Sequence, residues 1–193
     1  ADINGRILTS DPFLKLSITD HGHHTDISTQ LVGGYNLPNV LAAIAVGREM
    51  KIGIPKIKHA IENYLPSNSR SQLLQKGSNK IILDAYNANP SSMQAAIENF
   101  ANMEANNKVL MLGAMAELGA DSEWEHQNLI DFLKKYKWQE VILVGKAFSP
   151  FRSAFRYFEN AGEAKEWFSK QQFDNTTFLV KGSRSTQMEK VIE

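Results

Sequence analysis

From residue 80 onward the sequence alternates short apolar segments with amphipathic ones, and this alternation constrains the fold more than any other feature. Short apolar segments of strand length occupy residues 80–85, 108–112, 140–144 and 177–180. The intervening segments repeat apolar residues at helical spacing. Strands that alternate with helices in this way form a parallel sheet covered on both faces. We therefore predict an α/β domain with a Rossmann-like, mostly parallel sheet.

The starts of the helices can be placed from local signals. Asn89 followed by Pro90 is typical of a capped first turn, and Ser122 with Glu125 matches a capping box. Apolar spacing predicts a further helix over 161–171 and a last helix that begins at Ser185.

The first third of the chain is organised differently. Residues 13–19 and 25–31 alternate apolar and polar side chains around a turn, which predicts a hairpin, and two helical stretches follow. The polar run 66–69 has the composition of a linker. The sequence therefore predicts two domains, 1–66 and 67–193.

Composition excludes several classes of function. The 193 residues carry 21 basic and 21 acidic side chains, so no positive excess is available to bind nucleic acid. No apolar run is long enough to span a membrane, and the absence of cysteine excludes disulfides and thiolate chemistry. We expect a cytoplasmic monomer. The first residue is Ala1 and not Met, which suggests an excised fragment.

Ligands of open parallel sheets bind beyond the carboxyl ends of the strands, and the loop 84–90 follows such an end. It brings together a carboxylate, a phenol and two amides: Asp84, Tyr86, Asn87 and Asn89. This set suits a ligand rich in hydroxyl or amide groups. The alternative is that the two Asn residues only shape the turn and cap the helix.

A second polar loop leaves the last predicted strand. Lys181, Ser183 and Arg184 bring two cations and a hydroxyl to the start of the last predicted helix. Such a set can hold a carboxylate or a phosphate. The alternative is a basic turn exposed to solvent.

The loop 112–119 contains two glycines but is not a phosphate loop, because the Lys and Ser or Thr of that motif are missing. His126 follows it at helical spacing with Leu129 and Leu133, and is either a packed core residue or a group near the ligand edge. The three histidines in 21–24 occupy the hairpin tip, where we predict no metal site.

These loops, preceded by the Y-N-L-P-N run at 35–39, together resemble the Mur ligases, the ATP-dependent amide-forming enzymes of peptidoglycan synthesis. D-x-Y-N-A-N-P, L-G-x-M-x-E-L-G and K-G-S-R look like the branch that adds D-alanyl-D-alanine. The resemblance covers nearly the whole chain. It implies that 1–66 is the last part of the family's central ATPase domain and that 67–193 is its carboxy-terminal domain.

The resemblance also implies where ligands bind. Asn36 and Asn39 belong to the nucleotide site, with Asn39 at the adenine, Arg70 near the phosphates and Asp84 at the ribose hydroxyls. Side chains that would face the peptide and the incoming dipeptide are Tyr86, Asn87, Asn89, Lys181, Ser183 and Arg184.

In the family reaction, ATP with Mg²⁺ phosphorylates the carboxylate of UDP-N-acetylmuramoyl-tripeptide, and the amine of D-alanyl-D-alanine attacks the acyl phosphate. The chain departs from the family pattern at Ala114 and Leu83, where many relatives carry acidic residues. It also contains no G-x-x-G-K-T phosphate loop. We therefore expect this fragment to be inactive alone.

Two other readings are open. A folylpolyglutamate synthase relative would share the architecture, although the loop sequences 86–90 and 181–184 argue against it. A non-catalytic Rossmann-like binding module would leave 1–66 without a purpose. A receiver module in particular would place acidic residues where Gly113 and Gly145 end their strands.

Overall fold

The computed structural model describes residues 3–193, which separate into two compact units. The first unit ends at Ser67 and the second begins at Asn68. The boundary predicted from sequence lay one residue earlier.

The first unit is a three-stranded antiparallel sheet with two helices. Its strands follow the order β1-β2-β3, and its elements are β1 (Ile3–Thr9), β2 (Phe13–Asp20), β3 (His23–Val32), α1 (Leu37–Glu49) and α2 (Ile54–Glu62). The predicted hairpin is confirmed as β2 and β3, which pair from Asp20 and His23 onward. Alternate residues of the strands, such as Leu16 and Ile18, pack with Ile44 in a buried apolar cluster.

The second unit contains a six-stranded sheet in the order β4-β5-β9-β6-β7-β8. Its strands are β4 (Gln72–Lys76), β5 (Asn79–Asp84), β6 (Asn107–Gly113), β7 (Glu140–Val144), β8 (Arg156–Phe158) and β9 (Thr176–Lys181). β4 is antiparallel to β5, and the other neighbours are parallel. The predicted α/β fold is therefore confirmed, with two edge strands that the sequence pattern did not reveal.

Three α-helices accompany this sheet: α3 (Pro90–Asn102), α4 (Ser122–Leu133) and α5 (Ala161–Phe168). The predicted cap of α3 is confirmed, because the Asn89 side chain accepts a hydrogen bond from the Ser92 amide at 2.8 Å. Ser92 completes the capping box by accepting from the Asn89 amide. The first turn of α3 is thus fixed directly after the polar loop.

Two helix predictions are wrong in detail. A 3-10 turn, Gly119–Asp121, leads directly into α4, so Ser122 is itself helical and does not cap. The last helix is absent from the described residues: two 3-10 turns, Arg184–Thr186 and Met188–Val191, replace it. Gln187 between them has φ +50°, a left-handed conformation through which an α-helix cannot continue.

Residues 3–193 contain no candidate for a membrane-spanning helix. None of the helices found there combines the length and apolar character that a bilayer span requires.

The different burial of β9 and β4 predicts that a Leu→Ala substitution lowers the free energy of unfolding more on β9 than on β4. Leu179→Ala on β9, where the side chain is 1% exposed, should lower the free energy of unfolding by roughly 2 to 5 kcal/mol through lost burial and a cavity. Leu74→Ala on edge strand β4, where the side chain is 37% exposed, should cost less than about 1 kcal/mol. Urea unfolding followed by tryptophan fluorescence measures both, since all three Trp residues lie in the second unit. Equal losses would contradict the assigned core.

Candidate functional site

The carboxyl ends of the parallel neighbours β5, β9 and β6 bring the three predicted loops to one edge of the sheet. β5 and β9 are neighbours, and their register pairs Asp84 with Lys181. The loop 84–90 and the loop 181–185 therefore leave the sheet at the same edge, although about 100 residues separate them in the chain.

An ion pair joins these two strand ends. Lys181 Nζ lies 2.7 Å from Asp84 Oδ2, and the side chains are only 3% and 14% exposed. The same ammonium donates to the Asn87 carbonyl at 3.4 Å. A buried charge is costly unless it is paired and hydrogen-bonded, so Lys181 depends on these two acceptors.

The other oxygen of Asp84 holds the segment that precedes β4. Oδ1 accepts hydrogen bonds from the Ser71 amide at 3.1 Å and the Ser71 hydroxyl at 3.4 Å. Ser69 and Ser71, on either side of Arg70, have φ values of +57° and +48°. Non-glycine residues adopt this left-handed region rarely and at some cost, so the carboxylate stabilises a strained segment.

Two guanidinium groups share one aromatic ring at this edge. Arg70 Cζ lies 3.6 Å from the centroid of the Tyr86 ring, and Arg184 Cζ lies 5.6 Å from it. Tyr86 is 39% exposed. Among the ion pairs of residues 3–193, no carboxylate neutralises either guanidinium. The pair therefore offers positive charge and planar donor groups to an anion.

The remaining predicted side chains of these loops serve internal hydrogen bonds. Ser183 is buried, and its hydroxyl donates to the Ala114 carbonyl at 2.7 Å. The Asn87 side-chain oxygen accepts from the Ala88 amide at 2.9 Å, and Asn89 caps α3. These contacts agree with turn-and-cap roles for both Asn residues and give Ser183 a role in joining two loops.

His126 lies in the core and not on the open edge. It is fully buried, with its ring at 4.7 Å and edge-on to Phe148. Nε2 accepts a hydrogen bond from the Met115 amide at 3.1 Å, and Nδ1 lies 2.6 Å from the Ser122 carbonyl. Burial lowers the pKa of His126 below its ordinary value, against the opposing effects of Ser122 and Glu125.

A cleft of about 490 Å³ opens at the same sheet edge, and Ser185, which follows Arg184 in the chain, is among the residues that line it. Small residues such as Ala114, Ala161 and Gly162 line it together with Lys146 and Lys190. The sequence analysis missed both lysines, because neither belongs to a polar cluster along the chain.

Thr186 forms part of the wall of this cleft and fills a space that two glycines, Gly113 and Gly182, leave open. Cβ atoms added to Gly113 or Gly182 would approach Thr186 Oγ1 to 2.3 and 2.7 Å, and one added to Gly145 would approach the Ala114 Cβ to 2.9 Å. These glycines follow or end β6, β7 and β9, so glycine at three strand ends was the available sequence signal. The absence of side chains at these positions permits the loops after β6, β7 and β9 to pack closely around Thr186 and Ala114.

Two predicted nucleotide-binding residues belong to the first unit. The buried Asn36 donates from Nδ2 to the Val32 carbonyl at 2.9 Å and accepts from Asn39 Nδ2 at 3.2 Å. Asn39 is exposed at the start of α1. Asn36 therefore orients the amide of Asn39.

Asp, Glu and His side chains are the candidate ligands that this chain offers to a metal ion. Within the part of the chain that the structure describes, no group of three or more His, Asp or Glu side chains is arranged to hold a metal ion. We assign no reaction step to Mg²⁺ here.

Comparisons with known proteins identify the family of this chain. The family model described as "Mur ligase, glutamate ligase domain" matches residues 69–184. The UDP-N-acetylmuramoyl-tripeptide–D-alanyl-D-alanine ligase of Buchnera aphidicola is 35% identical over 176 residues, which are 87% of this chain and 38% of that protein. The Escherichia coli ligase of the same name is 32% identical over 195 residues, 92% of this chain and 42% of that protein.

A solved structure gives the same result. A crystal structure of MurF from Acinetobacter baumannii superposes with a TM-score of 0.85 at 25% identity, covering 100% of this chain and 44% of that one. The chain thus spans about two fifths of the length of the curated relatives it matches.

The ion pair at the strand ends predicts a large loss of stability when Asp84 is replaced by the uncharged Asn. Asp84→Asn should destabilise the second unit by about 3 kcal/mol or more, because it leaves the buried Lys181 ammonium without a counter-ion. Adding Lys181→Met should recover part of that loss. Asp131→Asn, in the exposed pair with Lys134, is the matched control and should leave the urea midpoint unchanged. An equal midpoint for Asp84→Asn and Asp131→Asn would show that the pair does not stabilise the fold.

Proposed function

This chain belongs to the Mur ligase family, and from that premise we propose that it is part of an ATP-dependent enzyme that joins D-alanyl-D-alanine to UDP-N-acetylmuramoyl-tripeptide. The observation that carries the proposal is the sheet edge where D-A-Y-N-A-N-P and K-G-S-R meet, with two guanidinium groups on one tyrosine ring. We assign residues before 67 to the end of the central ATPase domain and place the enzyme in the cytoplasm as a monomer.

The chemistry of this reaction fits a positively charged sheet edge. The tripeptide carboxylate attacks the terminal phosphorus of ATP, which releases ADP and forms an acyl phosphate. The dipeptide amine then attacks the acyl carbon, and the tetrahedral intermediate expels inorganic phosphate while the amine loses a proton. Negative charge is present at every stage, and guanidinium groups bind phosphate and carboxylate oxygens in a fixed geometry.

On the nucleotide side we assign Arg70 to the phosphates and Asp84 to the ribose hydroxyls. The carboxylate of Asp84 already accepts from Ser71 and Lys181, and a carboxylate has about four lone-pair sites. At least one acceptor site therefore remains for a hydroxyl. We assign the exposed amide of Asn39, oriented by Asn36, to the adenine.

On the acceptor side we place the dipeptide near the cleft beside Arg184. D-Alanyl-D-alanine has two methyl groups and a free carboxylate, which match a surface of small residues with cations at its rim. Lys146 and Lys190 would bind the carboxylate, although Lys146 also pairs with Glu159 at 3.3 Å. Tyr86, Asn87 and Asn89, with the 181–184 loop, would form the wall toward the activated tripeptide.

Two alternatives make different predictions for the acceptor. A folylpolyglutamate-synthase-like ligase would consume glutamate, and a non-catalytic binding module would hydrolyse no ATP. Phosphate release by the complete polypeptide decides among them. We expect release to require both UDP-N-acetylmuramoyl-tripeptide and D-alanyl-D-alanine, and we expect no turnover by residues 1–193 alone. Turnover with folate and glutamate, but not with the dipeptide, would overturn the proposal.

In the complete ligase, substitution of Arg70 and substitution of Arg184 should raise the KM of different substrates. Arg70→Met should raise the KM for ATP by about tenfold and Arg184→Met the KM for D-alanyl-D-alanine by a similar factor, since each removes a charge-assisted hydrogen bond. Arg152→Met, which changes an exposed arginine outside the cluster, is the control and should alter neither value. If both Arg70→Met and Arg184→Met raised the KM of the same substrate, our division of roles would be wrong.

A further inference from the structure

One peptide unit beneath the site is held from both of its polar ends. The Ala114 carbonyl accepts from the Ser183 hydroxyl at 2.7 Å and the Ser183 amide at 3.4 Å. The N–H of the same unit, which belongs to Met115, donates to His126 Nε2 at 3.1 Å. Because a peptide unit is planar, fixing both ends fixes the orientation of the whole plane.

The surroundings of His126 determine which ring nitrogen accepts. Nδ1 lies 2.6 Å from the Ser122 carbonyl, which can only accept, so the proton is on Nδ1 and Nε2 is the acceptor. The ring is fully buried, and both of its nitrogens are engaged. A leucine at this position would fill similar space, but it would leave the buried Met115 amide without its acceptor.

Hydrogen bonds to the two ends of one amide reinforce each other. Donation from Met115 to the imidazole increases the negative charge on the Ala114 oxygen, and that oxygen then accepts more strongly from Ser183. Ser183 lies two residues after Lys181 and directly before Arg184. One hydrogen-bonded path from α4 to the basic loop therefore runs through this peptide plane.

We propose that His126 is a positioning residue of the ligase: through the Ala114–Met115 peptide it orients Ser183 and thereby the loop that carries Lys181 and Arg184. The effect on catalysis rests on the proposed function, whereas the hydrogen-bond relay is a property of the fold. His126 touches no substrate in this scheme.

The groups packed against the ring determine how the relay responds to pH. Met115 from the loop after β6 and Phe148 from the 3-10 helix Lys146–Phe151 do not titrate, and Glu125 on α4 is the charged group that acts on the ring. Burial lowers the folded-state pKa of His126 below 6.5, so the neutral form favours the native state. Its stabilisation is complete above pH 6.5 and is lost as pH falls through the lower folded-state pKa.

NMR of the chain itself tests the relay with two variants. On acidification, the Met115 and Ser183 amide resonances should shift with one common midpoint below pH 6.5, and His126→Gln should abolish that titration while its side-chain oxygen retains an acceptor. His126→Leu should speed amide exchange of both residues by about tenfold, the effect of losing one hydrogen bond. The proposal would be overturned if the Ser183 amide resonance did not shift on acidification and its exchange rate were unchanged in His126→Leu.

Kinetics of the complete ligase separate positioning from general stability. His126→Leu should lower kcat by about tenfold, and His126→Gln should restore most of it and remove the acid limb that His126 contributes to the pH profile. Leu129→Ala, on the same buried face of α4, is the control for lost packing and should keep that limb. If Leu129→Ala reproduced the kcat and pH profile of His126→Leu, the role would be structural only. If the native enzyme did not use the dipeptide, the proposed function would fail, and the NMR result would still decide the relay.

Discussion

The site depends on an ion pair between the ends of two adjacent strands. Lys181 and Asp84 face each other because β5 and β9 are parallel neighbours in register, and both side chains are largely withdrawn from water. Removing either partner would leave an uncompensated charge, so the pair favours one arrangement of the two loops. Asp84 also holds Ser71, which places Arg70 above Tyr86. One carboxylate thus connects the sheet, the basic loop and the strained segment before β4.

Periodicity predicted the architecture because the strands of a sheet covered on both faces must be apolar along their whole length. It failed where burial is partial. β4 reads Q-L-L-Q-K at an exposed edge, and β8 has only three residues, so neither shows a strand pattern. The prediction of the last helix was wrong because the backbone of Gln187 is left-handed and interrupts the segment. The apolar residues of that segment are nevertheless buried, which is why its pattern resembles that of a helix. Local composition does not encode that interruption.

The polar loops were recognisable from sequence, but the roles of their side chains were not. Long-range pairing decides which group meets which: Ser183 reaches Ala114, 69 residues away, and Lys181 reaches Asp84, 97 residues away. His126 is the clearest case. The sequence offered two alternatives for it, a packed core residue or a group near the ligand edge, and neither includes a buried side chain that accepts a hydrogen bond from a loop amide. It is buried and polar at once, and its partner is a backbone amide that no side-chain motif reveals.

The positively charged side chains at this sheet edge fall into two groups, one paired with a carboxylate and one without such a partner. The Lys181 ammonium donates hydrogen bonds to the buried carboxylate of Asp84 and to the Asn87 carbonyl, so its charge stabilises the fold. Arg70 and Arg184 have no carboxylate partner among residues 3–193 and rest against an aromatic ring, whose face attracts cations only weakly compared with an anion's oxygen atoms. A guanidinium held on a ring loses little freedom when an anion arrives, because its position is already restricted. Tyr86 therefore restricts the positions of both guanidinium groups, and the buried pair of Asp84 and Lys181 holds their loops in place.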